Sequence, residues 1–302
     1  MLISVSTWYL ESHFGTEKTF ALMKEAGIDA ADYGLDDWIG SIATVKKSRN
    51  YQMSEEETIK YYTEIRTLAD QAGVIIGQTH SMFGAKRIFD ERDEIMKVMK
   101  NSILATHVLG SHYTVIHPIA TEGRIFDEQK EECFAYNLEF FRSLIPILEQ
   151  YDVKVGIEPM WSNDADGHIC PTVCSRPEEI LEFIHALNSD RFCSCPDLGH
   201  FQLTGYATDD TPAGALRKLG KTVEIIHAHE VEVDHDRHTA PCTFGTMDWE
   251  DIGAALREIG YAGTLNFEVG GYYYNSFPDC MIPEALRHIA EMGKIIMQPK
   301  EC

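Results

Sequence analysis

Carboxylate and imidazole side chains end four apolar runs of this sequence. The runs and the residues that end them are Val153–Met160 with Glu158, Phe192–His200 with Asp197 and His200, Thr222–Glu230 with His227 and His229, and Thr264–Gly270 with Glu268. Burying such groups at the ends of strands is costly unless they share a cation or a polar network. Two Glu, one Asp and one His are the ligand types expected of a divalent metal in an open catalytic site. The spacing therefore predicts a metal centre at which four strands end.

Eight apolar runs alternate with helical patterns and supply the elements that must position these side chains. The predicted strands are 1–8, 30–33, 74–80, 113–117, 153–160, 192–197, 222–230 and 264–270, and the predicted helices are 16–26, 54–72, 91–109, 127–151, 176–188, 212–219, 248–259 and 283–296. The helices follow from apolar residues at helical spacing and from caps, such as Ser54 followed by Glu57. The sixth strand is expected to end at Asp197, and His200 is expected to lie in the loop that follows it.

This alternation predicts the fold class. Strands that alternate with helices form a parallel sheet, and eight such units in 302 residues favour an α/β fold, a single closed (β/α)8 TIM barrel. The carboxyl ends of the strands carry the active site in that fold, and the carboxylates and histidines lie at those ends. No Pro/Ser-rich linker, low-complexity tract or short repeat divides the chain, so residues 1–302 are interpreted as one domain.

Composition narrows the functional classes. The net charge of −22 disfavours binding to nucleic acid or to an anionic membrane surface. No apolar run approaches the ~20 residues of a membrane span, and the N-terminus has no basic segment typical of a signal peptide. The eight cysteines form no CxxC pair, which is typical of reduced thiols. We expect a cytoplasmic protein.

Four motifs resemble the xylose-isomerase-like barrels. They are IEP at Glu158, PDLGH at Asp197 and His200, HAHE at His229, and GYAGTLNFEVG around Glu268; the stretch from His238 to Glu268 is the most characteristic, and the similarity runs over nearly the whole chain. That superfamily includes sugar isomerases and epimerases, inosose dehydratases and type IV apurinic endonucleases.

The resemblance implies a ligand set of Glu158, Asp197, His229 and Glu268 for one divalent metal, Mn²⁺, Zn²⁺, Co²⁺ or Mg²⁺, with more than one metal possible. His229 is preferred over His227 because the second histidine of the HxH pair aligns with the ligand in the ketose 3-epimerases. His227 is then expected in packing or in a hydrogen bond behind the metal.

The implied activity is a metal-dependent sugar isomerase or epimerase that abstracts a proton next to a carbonyl, with Glu158 and Glu268 as acid and base. The substrate is expected to be a small carbohydrate or polyol, and the protein a possible homo-oligomer. Predicted substrate-binding residues are His200, His80, His117, Trp161, Arg237 and His238. For His80 and His117 the alternative is a structural bond to a loop carbonyl, and for Trp161 it is core packing. Tyr272–Tyr274 fits either substrate stacking or a subunit contact.

Two other activities stay open at this point. A lyase, such as an inosose dehydratase or an enzyme that β-eliminates C-glycosides, begins with the same proton abstraction. A nuclease-like hydrolase with three zinc ions has named counterparts here, including a DRH motif; they are His80, His117, Glu158, Asp197, His200, His229, Asp236, His238 and Glu268. The acidic net charge opposes the DNA-binding form of that hypothesis.

Overall fold

The structure is a computed structural model that describes residues 1–35, 42–82, 92–119 and 129–298. Its strands are β1 Ile3–Ser6, β2 Ala30–Gly34, β3 Ile75–His80, β4 Tyr113–Ile116, β5 Lys154–Ile157, β6 Trp161–Asn163, β7 Ile169–Pro171, β8 Phe192–Ser194, β9 Glu230–Glu232, β10 His235–Thr239 and β11 Leu265–Phe267. Its helices are α1 Trp8–Phe14, α2 Thr16–Ala26, α3 Ile42–Val45, α4 Arg49–Gln52, α5 Glu55–Ala72, α6 Arg92–Leu109, α7 Lys130–Tyr151, α8 Pro177–Leu187, α9 Leu198–Thr208, α10 Pro212–Leu219, α11 Trp249–Glu258, α12 Gly271–Tyr274 and α13 Ile282–Met297. Short 3₁₀ turns cover Gly220–Thr222 and Asp279–Met281.

Seven strands form one parallel sheet in the order β11-β1-β2-β3-β4-β5-β8. Residues 223–228 lie between the two ends of this sheet and bridge β8 to β11, through Ser194 with Val223, Asp197 with His227, and Ala228 with Phe267. The predicted seventh strand, 222–230, is therefore present as an irregular segment rather than a regular strand. The α/β barrel prediction is confirmed, with this segment completing the ring.

Alternation along the strands separates two apolar layers. Ile116 and Phe192 pack in the main core with the helices, whereas their neighbours Val115 and Cys193 join Cys195 and Ile225 in a small separate cluster. Since successive side chains of a strand face opposite sides, this second cluster lies inside the ring. The interior is tight, because a Cβ on Gly156 would lie 2.5 Å from Ile225 Cδ1.

Local capping explains several helix boundaries. The predicted capping box at α5 is present: Ser54 N donates to Glu57 Oε2 at 2.8 Å and Glu57 N donates to Ser54 Oγ at 3.3 Å. Asp197 caps α9, since His200 N donates to its Oδ1 at 2.8 Å. The expectation of a loop at His200 was wrong, because an Asp with a free backbone amide three residues on is itself a helix start.

Two antiparallel hairpins interrupt the strand–helix alternation, β6–β7 after β5 and β9–β10 after residues 223–228. Neither hairpin was predicted from the sequence, and nor were α1, α9 and α12. Both hairpins extend over the carboxyl ends of the barrel strands. Among the described residues no helix combines the length and apolarity needed to cross a membrane.

Candidate metal centre

A cavity of about 510 Å³ opens at the carboxyl ends of the barrel strands. Its floor is polar and its mouth is aromatic. It is lined by Ser6, Trp8, Gly34, His80, His117, Glu158, Met160, Trp161, His200, Asp236, Arg237, His238, Glu268, Val269, Gly270, Gly271 and Tyr272. All six residues predicted to bind substrate line this cavity, together with both predicted acid–base residues.

The first donor group consists of Glu158, Asp197, His227 and Glu268, whose ligand atoms lie within 4.8 Å of one another. His227 Nδ1 is 3.2 Å from Glu268 Oε2, 3.4 Å from Glu158 Oε2 and 4.0 Å from Asp197 Oδ2. These side chains are buried except for Glu268, whose side chain is 20% exposed toward the cavity.

The histidine of this group differs from the prediction, which chose His229. The reason is the bridge between Asp197 and His227, which sets these two residues side by side on neighbouring segments of the ring. His229 lies two residues further on, where the chain leaves the ring for the β9–β10 hairpin. Its Nε2 still approaches Asp197 Oδ1, at 3.0 Å, but belongs to a second set of side chains.

The second donor group consists of His200, His229, Asp236 and His238. Asp236 Oδ2 lies 3.3 Å from His200 Nε2 and 3.2 Å from His238 Nε2, and Asp236 Oδ1 lies 3.6 Å from His229 Nε2. Trp161 Nε1 donates to Asp236 Oδ2 at 3.0 Å and so ties one hairpin to the other. Asp236 and His238 both lie in β10, so the hairpin supplies half of this group.

A third group joins His80 and His117 to Glu158. The two imidazole Nε2 atoms lie 3.1 Å apart, and His117 Nε2 lies 3.1 Å from Glu158 Oε2. Glu158 thus belongs to two groups at once. The three groups form one continuous field of donors across the floor of the cavity.

The histidines are held in a common way. A backbone carbonyl accepts from Nδ1 of each of four rings: Ser81 O for His80 at 2.7 Å, Pro159 O for His200 at 2.8 Å, Glu230 O for His229 at 3.3 Å and Glu268 O for His238 at 3.0 Å. Because a carbonyl only accepts, Nδ1 carries the proton and the Nε2 lone pair of the neutral ring faces the donor field. His80 can therefore bond a loop carbonyl through Nδ1 and still offer Nε2 as a metal ligand.

Buried polar atoms without a hydrogen-bond partner test whether the residues fit a cation. Six of them are ligand atoms of the first two groups: Glu158 Oε2, Asp197 Oδ2, His227 Nδ1, His229 Nε2, Asp236 Oδ1 and Glu268 Oε2. Unsatisfied buried groups of this kind are expensive, and their concentration at one place is what an ion would satisfy. The donor chemistry, carboxylate oxygen with imidazole nitrogen, fits a divalent transition metal.

Electrostatics keep the carboxylates ionised. Burial opposes the charge of Glu158, but His117 and His227 outweigh it and hold the pKa of this carboxyl well below its usual range. His227 and His238 do the same for the pKa of Glu268, against burial. Ionised carboxylates are the form that binds a cation, so both are ready to act as ligands near neutral pH.

The second group shows the same pattern. Burial opposes ionisation of Asp236, yet His238 and His200 hold its pKa well below the usual range. In turn, Asp236 and Glu268 outweigh burial and raise the pKa of His238 to about 10. Cations and protons therefore compete for these imidazoles.

The mouth of the cavity carries the remaining predicted residues. The guanidinium of Arg237 lies 4.5 Å from the centre of the Tyr272 ring, and its Nε donates to Glu232 Oε2 at 3.0 Å. Tyr272 is half exposed, whereas Tyr273 and Tyr274 are buried, so the three tyrosines do not form one exposed surface.

Sequence reasoning missed one buried carboxylate behind the site, Asp32 in β2. Its Oδ2 lies 3.1 Å from His227 Nε2 and accepts from Asn266 Nδ2 at 2.9 Å and from Gln78 Nε2 at 3.3 Å. Asp32 could have been found by the pattern that identified Glu158 and Glu268, a carboxylate near the end of a short apolar strand, because β2 reads AADYG.

Comparisons with known proteins agree with the fold. A family model described as "Xylose isomerase-like TIM barrel" matches residues 20–292. The inosose isomerase of Bacillus subtilis is 28% identical over 194 residues, which are 60% of this chain and 64% of that protein. A D-psicose 3-epimerase structure determined in the presence of D-fructose superposes with a TM-score of 0.74 at 16% identity, covering 98% of this chain and 99% of the other. The structure of IOLI protein with a bound zinc atom gives 0.68 at 17% identity, covering 98% of each chain.

Proposed function

The chain belongs to the xylose isomerase-like TIM barrel family, and from this premise we propose that it is a divalent-metal-dependent isomerase or epimerase of a small carbohydrate or polyol. The observation that carries the proposal is the first donor group: three carboxylates and an imidazole whose ligand atoms converge within 4.8 Å at the floor of an open cavity. Sugar-converting relatives and a zinc-binding neighbour of the same fold support it.

Glu158, Asp197, His227 and Glu268 would hold the cation, with His227 in place of the predicted His229. When bound, the cation acts as a Lewis acid that stabilises negative charge on oxygens next to the reacting carbon. The second and third donor groups fit further cations, so the proposed centre has room for more than one ion. His, Asp and Glu donors together suit Zn²⁺, Mn²⁺ or Co²⁺.

Proton transfer falls to the two glutamates. Both line the cavity, and both are carboxylates kept ionised by neighbouring imidazoles. One removes the proton from the carbon beside the substrate carbonyl, and the other, once it has taken up a proton from solvent, returns a proton to the same carbon or its neighbour. Arg237 and Trp161 line the walls and orient the substrate hydroxyls and the ring face.

A hydrolase is the second candidate, and one observation favours it. Every residue of the nine named as counterparts of a trinuclear zinc site falls into one of the three donor groups, and His227 adds a tenth. Such a centre is suited to phosphoester cleavage. The net charge of −22 opposes a polyanionic substrate, which is why the isomerase reading is preferred.

The experiment measures metal content per chain by mass spectrometry, on protein purified without added metal, and then incubates the loaded enzyme with ketoses and keto-inositols in D₂O. Proton abstraction next to a carbonyl incorporates solvent deuterium into the sugar, in an epimerase, an isomerase or a lyase. Glu268→Gln is expected to lose the metal and the exchange. Glu179→Gln is the matched control, since Glu179 is a buried carboxylate paired with Lys130 and Arg176 on the outer helices.

The possible results separate the candidates. Metal with deuterium exchange, both lost in Glu268→Gln and kept in Glu179→Gln, supports the proposal, and the product then distinguishes epimerisation from elimination. Two or three zinc ions with cleavage of abasic DNA and no exchange support the hydrolase. No metal under any loading condition contradicts both.

A further inference from the structure

Six histidine rings of the described chain surround the donor field, and His227 is held differently from the four whose Nδ1 lies against a backbone carbonyl. His80, His200, His229 and His238 each lie with Nδ1 against a backbone carbonyl. His227 instead faces two side-chain environments. Its Nδ1 points at the carboxylates of the first donor group, and its Nε2 lies 3.1 Å from Asp32 Oδ2.

Asp32 is buried and is held in place on the side of the ring opposite the first donor group. It is 1% exposed, and within the described part of the chain its ion-pair partner is His227. Two amides from different strands, Gln78 of β3 and Asn266 of β11, donate to the oxygen that faces His227. A carboxylate fixed from two sides cannot turn away from the ring. The contact has the length of a hydrogen bond but not its angle, so a hydrogen bond requires the imidazole to turn until Nε2–H points at Oδ2.

We propose that Asp32 is a positioning residue that keeps the proton of His227 on Nε2 and directs Nδ1 to the cation of the first donor group. A carboxylate behind an imidazole ligand fixes its tautomer and raises its basicity, whereas a backbone carbonyl does this more weakly. Asp32 therefore selects His227, rather than His229, as the imidazole of the first group. This inference rests on the proposed function, because it requires a cation at that group.

The geometry also explains why the sheet tolerates a buried carboxylate with no Lys or Arg described beside it. Two amide donors satisfy Oδ2, which also lies 3.1 Å from His227 Nε2, while Oδ1 has no hydrogen-bond partner. An anion left in this state is expensive. A positive cation on the far side of the imidazole lowers that cost by polarising the N–H toward Asp32, so the carboxylate and the ion stabilise each other across the ring.

The test uses Asp32→Asn, which keeps the shape and removes the charge, with Glu179→Gln as a control for the loss of a buried carboxylate outside the cavity. Zn²⁺ affinity is measured by competition with a chromogenic chelator, and the melting temperature is measured on the metal-stripped proteins. We expect about a 10- to 100-fold loss of Zn²⁺ affinity in Asp32→Asn and none in Glu179→Gln. The stripped Asp32→Asn protein is expected to melt no lower than wild type, because it no longer buries an anion.

A second measurement needs no variant at Asp32. In Zn²⁺-loaded wild-type protein labelled with ¹⁵N-histidine, two-dimensional NMR reports which nitrogen of each ring carries a proton, and His227→Gln assigns the signal. We expect a proton on Nε2 and metal on Nδ1 of His227. This measurement shows which nitrogen of His227 carries the proton even if Asp32→Asn does not fold.

The failures are distinguishable. Wild-type Zn²⁺ affinity in Asp32→Asn, or a proton on Nδ1 of His227, overturns the role of Asp32 while Glu268→Gln still shows whether the metal centre exists. Absence of Zn²⁺ binding in wild type overturns both this role and the proposed function.

Discussion

Gly199 packs directly against the ring of His229, the histidine of the second donor group that also approaches Asp197 of the first. A Cβ built at Gly199 would lie 2.0 Å from His229 Cε1 and 2.5 Å from His229 Nε2. Ordinary contact begins near 3.4 Å, so Gly199→Ala must move the ring by about 1.4 Å. His229 is fully buried, and the overpacking should cost about 1–3 kcal/mol.

That displacement is large on the scale of metal ligation. A Zn–N bond is about 2.0–2.1 Å long and a ligand displaced by more than an ångström no longer binds. The three atoms nearest to that Cβ all belong to His229, so we expect the first donor group to keep its imidazole, His227. We therefore expect Gly199→Ala to lose the cation of the second group and to retain that of the first.

The assay counts metal ions per chain after loading with Zn²⁺ and removal of excess ion. Gly253→Ala is the matched control: its Cβ would lie just as close, 2.0 Å, to a neighbouring atom, the Ile296 carbonyl oxygen in α13. Both variants should be destabilised, but Gly199→Ala alone should hold one ion fewer than wild type. An unchanged ion count in Gly199→Ala, or an equal loss in both variants, would refute the assignment of His229 to a separate cation.

Two further substitutions test the support of the centre and of the fold. Trp161→Phe removes the indole donor to Asp236 Oδ2 and is expected to weaken Zn²⁺ binding at the second donor group by about tenfold, measured by chelator competition. The control Trp249→Phe loses a buried indole bond to another carboxylate and should destabilise the protein without changing this affinity. Equal Zn²⁺ affinities in wild type and both variants would contradict the prediction. Asn137→Ala removes the acceptor of the buried Ile119 N–H, at 2.6 Å, and the amide donor to the Ile119 carbonyl, at 2.7 Å, which then keeps the weaker bond from Cys133 Sγ. Urea unfolding should show a loss of about 2–3 kcal/mol in the free energy of unfolding, and a loss below about 1 kcal/mol would contradict the prediction.

The barrel and the residues at its strand ends were accessible from the sequence because both depend on short-range patterns. Glu158, Asp197 and Glu268 each follow an apolar run, and the pattern of a parallel sheet brings the carboxyl ends of such runs together. The helix starts were predictable for the same reason, as at Ser54, where the cap is local.

The two hairpins were not predictable in this way. Their strands are three to five residues long and lack an alternation of apolar and polar residues, as in HDRHT of β10. What holds β9–β10 over the cavity is tertiary: the indole of Trp161 bonds Asp236, and His238 bonds the Glu268 carbonyl. The sequence marks Asp236 and His238 as candidate ligands, but it does not reveal which group they complete.

The choice between His227 and His229 shows why residue spacing alone is insufficient. Two residues apart on a regular strand, both rings would face the same side, and spacing cannot rank them. The chain is not a regular strand here, since it meets its neighbours only through isolated bridges. One bridge sets His227 beside Asp197, and the turn into β9 carries His229 toward Asp236.

The same irregularity has a chemical consequence. The first donor group is built from the ring itself, whereas the second depends on β10, whose backbone runs through a left-handed residue at His238. Glu158 ties the first group to the third, and Asp197 approaches both His227 and His229. Removing β10 ligands should therefore leave the first cation bound, whereas removing Glu158 should disturb two sites at once. In the proposed centre the first donor group comes from the barrel strands and only the second depends on the hairpin, so loss of the hairpin ligands would lower the metal count without changing the glutamates proposed to transfer the proton.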